Sequence, residues 1–140
     1  MVIALLCICK KAYPQAQLDS TVGRTKKEII GTWLSRPNGL DKWVFSKQGN
    51  ILHIYTRKDH SSTFSCEGTY TYKLIRTGTA CGIDVSEVLK EGGAAKSILE
   101  LTNVKTNNKQ CYISLGVDKK YLTLNYYGTT AFLSFNRKSN

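Results

Sequence analysis

From Ser65 to Leu74 the chain alternates with a period of two. Cys66, Gly68, Tyr70, Tyr72 and Leu74 fall on one face, and Glu67, Thr69, Thr71 and Lys73 on the other. Successive side chains of a strand point to opposite faces, so this pattern describes a strand with one side buried and one side wet. The same grammar recurs along the chain. Strands are expected at Ile29–Ser35, Lys42–Ser46, Ile51–Arg57, Ser65–Leu74, Thr79–Ser86, Ser97–Val104, Gln110–Val117, Lys120–Tyr127 and Thr130–Arg137. Turn-forming runs such as Arg36-Pro37-Asn38-Gly39 and Lys47-Gln48-Gly49-Asn50 separate them. Short strands joined by short turns predict an all-β fold, a single antiparallel up-and-down barrel of about eight or nine strands, since closure removes the sheet edges. An immunoglobulin-like sandwich is the alternative. Glu87–Lys96 reads as a loop at the barrel mouth: Val88 and Leu89 suggest one helical turn, which Gly92 and Gly93 stop.

A chain of 140 residues suits one domain. Residues Met1–Ala16 resemble a signal peptide whose start is cut short. An apolar run, Val2–Cys9, precedes Ala16-Gln17, where a small residue suits cleavage. The run is too short to span a bilayer, and Leu6 and Ile8 stand where a lipobox before Cys7 or Cys9 would need a small residue. Residues 17–28 form a polar lead-in to a barrel over 29–138. Export to the periplasm or beyond, without a lipid anchor, is the expected destination. The net charge is +10. Its cations are scattered near turns, and no arginine-rich helix, zinc-finger spacing or aromatic RNA-binding motif accompanies them, which excludes nucleic acid as the expected partner.

The first strand carries Gly31-Thr32-Trp33, followed by Trp43-Val44-Phe45 with Gly49, and then by Gly68-Thr69-Tyr70. Over Ile29–Lys138 this series resembles the small bacterial lipocalin-like domains of the calycin superfamily. The resemblance implies a barrel and a lipophilic ligand. It also implies a late arginine over the motif tryptophan. Arg137 holds that position, and Trp33 and Arg137 would close one end of the barrel as a cation–π pair.

Three cysteines, Cys66, Cys81 and Cys111, follow the leader, each on the apolar face of its strand by alternation. Buried unpaired thiols are the expectation, with one disulfide among the three as the alternative; no spacing selects the pair. No C-x-x-C or histidine pair calls for a metal, and nothing implies a cofactor. His53 and His60 are the only histidines. Neither lies in a nucleophile elbow, a phosphate loop or an H-E-x-x-H, and Asp84 is the one carboxylate placed mid-strand, so an enzyme is not expected.

The aromatic residues suggest a different chemistry. Tyr70 and Tyr72 share the inward face of the fourth strand, Tyr55 shares a face with His53, and Tyr126 shares one with Leu124. Apolar walls with a few hydroxyls are the usual form of a small-molecule site. Tyr55, Tyr70, Tyr72, Tyr126 and His53 are therefore the expected contacts of a small hydrophobic or amphipathic ligand, in a monomeric barrel. The alternative is a filled barrel that binds another protein, in the manner of a protease inhibitor, through residues 17–27 or 87–96.

Overall fold

A computed structural model describes residues 26–59, 61–91 and 97–139. The expected leader with Cys7 and Cys9, most of the expected lead-in, His60 and the end of the 87–96 segment lie outside the described residues. A helical turn, α1, covers residues 26–29. Ten strands follow: β1 (Gly31–Ser35), β2 (Asp41–Phe45), β3 (Ile51–Thr56), β4 (Ser65–Ile75), β5 (Thr79–Ala80), β6 (Ile83–Asp84), β7 (Ser97–Asn103), β8 (Lys109–Val117), β9 (Tyr121–Tyr126) and β10 (Phe132–Arg137). A second helix, α2 (Val85–Glu91), lies between β6 and β7. Eight strands close into an antiparallel barrel in the order β1-β10-β9-β8-β7-β4-β3-β2. The expected fold class is thus present, and the topology is compatible with a calycin-like fold.

Registers fix which side chains look inward. Trp33 pairs with Trp43 and Arg137, Trp43 with Ile54, Leu52 with Tyr70, Tyr72 with Leu101, Leu99 with Tyr112, and Leu122 with Phe135. Directly opposed residues share a face, so these side chains form one interior, and most of them are buried. Aromatic rings cross it in contact. Tyr126 meets Tyr112 at 5.2 Å, Tyr112 meets Trp43 at 5.7 Å, Trp43 meets Phe135 at 5.0 Å, and Phe45 meets Tyr72 at 5.1 Å. Each such pair contributes about 0.5–1.5 kcal/mol beyond the area it buries.

One end is shut by a clamp. The Arg137 guanidinium lies 4.2 Å from the centre of the Trp33 ring. It also donates to four backbone carbonyls: Ile30 at 2.8 Å, Lys119 at 2.9 Å, Asp118 at 3.3 Å, and Glu28. Trp33 Nε1 donates to Ile29 at 2.8 Å. The cation and the indole together fasten the α1 segment and the β9 entry loop across this end. Gly31 is required there, because a Cβ on it would stand 2.5 Å from Arg137 Nη1, and its φ is +134°.

Two sequence expectations are corrected outside the barrel. Thr79–Ser86 does not join the main sheet. It forms the two-residue strands β5 and β6 around a turn in which Cys81 and Gly82 both have positive φ, a primed hairpin geometry. Nor is 87–96 loop throughout. Val85, Val88 and Leu89 stand at helical spacing, and with Ala80, Ile98, Cys111 and Ile113 they form a second small core on the outer face of β7 and β8. Asp84, read as a mid-strand carboxylate, ends β6 and accepts a bond from the Ser86 N–H at 3.0 Å, which caps α2. Lone periodicity could not reveal this face, because the barrel wall it packs on is distant in sequence.

Candidate functional site

The strand ends opposite the Arg137 clamp meet at the open end of the barrel. The β1–β2 loop (36–40), the described parts of the β3–β4 loop (57–59 and 61–64) and the β7–β8 and β9–β10 turns (104–108 and 127–131) gather there. Between the β1–β2 loop and the start of β10 lies a cleft of about 230 Å³. Its apolar part is Leu40, Trp43, Phe132, Leu133 and Phe135; its polar part is Ser35, Arg36, Asn38, Asp41 and Ser134. Trp43 reaches the cleft from the centre of the aromatic core, so the floor of the site is continuous with the packing that holds the barrel shut.

Asp41 enters this setting because the β2 register points it inward, one alternation step before Trp43. Its backbone N–H donates to Ser35 Oγ at 2.9 Å, which ties the two sides of the loop. Burial pushes its carboxyl above the usual carboxylate range, and the nearby charge of Glu67 pushes the same way. The carboxyl is thereby biased toward the form that can donate a hydrogen bond. Across the mouth, burial raises the Tyr112 phenol to about 12, with Tyr126 and Tyr70 adding to the shift. The three phenols therefore lie close together.

The structure distributes the sequence-predicted contacts differently from the expectation. Tyr70 and Tyr126 face inward, Tyr126 at the lip and Tyr70 packed against the core. Tyr72 also faces inward but is only 2% exposed, locked edge-on against Phe45 with its hydroxyl donating to the Ser46 carbonyl at 3.2 Å. It is core rather than ligand contact. Tyr55 and His53 point outward. Tyr55 is paired with Lys42, whose Nζ lies 4.6 Å from its ring centre, and His53 Nδ1 lies 3.1 Å from Thr69 Oγ1. Sequence alternation put these two on one face correctly but could not say that it is the outer one. The cleft residues Asp41, Leu133 and Phe132 were missed; a carboxylate one alternation step from a core tryptophan was the available signal.

Cysteine placement is corrected as well. Cys81 and Cys111 form a disulfide with Cα atoms 6.2 Å apart, joining the β5–β6 turn to the outer face of β8. Cys66 is free and exposed. The alternation of β4 breaks at Glu67: Ile54 pairs with Gly68 and Tyr55 with Cys66, leaving one extra residue. That bulge turns Cys66 to the outside. Glu100, 4% exposed, stands beside the disulfide and accepts from the Cys81 N–H at 3.2 Å and from Lys109 Nζ at 3.3 Å. Glu100 and the two sulfurs lie within 4.8 Å of one another. The sulfurs are spent on their mutual bond.

No protein-family model matches this chain, and no curated protein or solved structure matches it at a significant level.

Proposed function

We propose that this chain is an exported barrel that binds a small amphipathic molecule at its open end, and that it acts as a binding protein rather than an enzyme. The observation that carries the reading is the cleft over Trp43, whose lining combines the apolar Leu40, Phe132 and Leu133 with the polar Ser35, Arg36, Asn38 and Asp41. That mixture suits a ligand with a short apolar part and one polar group. The volume falls below the ~300–1,000 Å³ of sites for drug-sized ligands, which points to a short chain or a single ring system. The apolar run in the leader and the Cys81–Cys111 disulfide support passage to an oxidising compartment.

The test is a fluorescence titration with octanoate, octanol and octylamine, which share a tail and differ in head group. Trp43 is the reporter; Trp33, its cross-strand neighbour, sits under Arg137 and does not line the cleft. At least one of the three should give a saturable change. Phe132→Ala should weaken it about tenfold by removing rim contact area, and Asn38→Trp should block it. A response that survives both substitutions places binding elsewhere, and no saturable response with any head group removes this ligand class.

A further inference from the structure

Among the described residues five large hydrophobic side chains are conspicuously exposed: Val104 (47%), Tyr121 (49%), Tyr126 (41%), Tyr127 (38%) and Phe132 (62%). Scattered exposed apolar residues are ordinary, but a cluster marks an interaction surface. Four of these five sit at the open end: Val104 in the β7–β8 turn, Tyr126 and Tyr127 where β9 enters its turn, and Phe132 where β10 leaves it. Lys105 and Lys58 stand on the same rim, in the β7–β8 turn and the β3–β4 loop.

We infer that the open end docks on an anionic lipid bilayer, with the aromatic rim in the interface and Lys58 and Lys105 against the head groups. The inference rests on the ligand reading above and supplies its source: the amphipathic molecule is taken from, or delivered to, the lipid phase. Aromatic residues favour the membrane interface because one part of the ring system is apolar and the other wet. Lysines near an anionic surface strengthen the attraction to it. The exposed rim groups lie on two hairpin ends, the β7–β8 and β9–β10 turns, which suits shallow insertion into a deformable surface. Charge alone does not choose this end. The clamped end carries Lys26, Lys27, Lys47, Lys119, Lys120 and Lys138, but its one exposed large apolar group, Tyr121, lies under the Arg36 guanidinium at 5.6 Å. Electrostatics attracts the whole molecule to the surface, and the apolar rim selects the orientation.

The experiment is co-sedimentation of the full chain with phosphatidylcholine vesicles, with and without phosphatidylglycerol. Val104→Ser with Tyr127→Ser, neither of which lines the cleft, should lower partitioning about tenfold. Lys58→Glu with Lys105→Glu should remove most of the preference for phosphatidylglycerol. Lys119→Glu with Lys120→Glu, at the clamped end, should change binding several-fold less. Near-ultraviolet circular dichroism verifies that each variant is folded. The inference is overturned by absence of vesicle binding, by a larger loss in the clamped-end pair, or by binding that no variant alters, which assigns it to the leader. Rim-dependent self-association without vesicles, seen by sedimentation velocity, also overturns it and makes the rim a protein interface. Octyl-ligand titration of the Val104/Tyr127 variant in vesicle-free solution separates the two readings. An unchanged affinity there keeps the ligand site even if docking fails.

Discussion

At the scale of single residues, Arg137 holds the most concentrated set of interactions. One planar cation covers an indole and donates to carbonyls of Glu28, Ile30, Asp118 and Lys119. A guanidinium can serve these directions together because its donors are held in a fixed fork. Arg137→Ala should cost about 2–4 kcal/mol, and Arg137→Lys should recover little of it, as measured by urea unfolding. A lysine that restores full stability would show that the charge, not the fork, matters. Asp41 gives a pH signature. Its folded pKa is raised, so the fold holds its proton more tightly than the unfolded chain does. The associated stability is therefore present below the ordinary carboxylate pKa and lost as pH rises through the raised value. Asp41→Asn should accordingly be more stable than the parent at neutral pH, and the advantage should vanish in acid. An advantage independent of pH would assign the effect to something other than ionisation.

Elements show where local sequence decides the outcome and where it does not. The barrel strands were legible because one wall of each is buried and the other is not, so the alternation survives in the sequence. The bulge at Glu67 was not legible. One extra residue in β4 reverses the facing of Cys66, and nothing in Ser65-Cys66-Glu67-Gly68 announces it. Burial on both sides hides in the same way. Ile98 and Cys111 look outward from the barrel yet are covered by α2 and the β5–β6 hairpin, so the helix and the disulfide depend on a contact between distant parts of the chain. The disulfide closes a separation of 30 residues, which in the chain-entropy view contributes about 3–4 kcal/mol. Cys81→Ala with Cys111→Ala should therefore lower stability by about that amount. It should also speed hydrogen exchange in α2 well before the barrel strands. Equal loss of protection in both would mean that the outer layer and the barrel unfold as one unit.

The whole molecule divides its two ends between different tasks. Trp33 and Arg137 consolidate one end, and the aromatic core extends from there to Trp43, where packing gives way to a shallow cleft. Alternation identified the barrel, and the resemblance carried by Gly31-Thr32-Trp33 placed Arg137 beside Trp33. Neither identified the cleft, which depends on how the β1–β2 loop lies against the first residues of β10. The proposed site is at the mouth of the barrel, with Tyr72 withdrawn into the core and Tyr55 and His53 on the outer wall. A small amphipathic ligand is proposed to occupy that mouth. The most direct measurement is a set of amide chemical-shift changes recorded as octanol is added to the isotope-labelled protein. Saturable shifts confined to residues 35–43 and 132–135 are the predicted result. Shifts centred on the Arg137 end or on the outer face around Tyr55 and His53, or none at all, would contradict it.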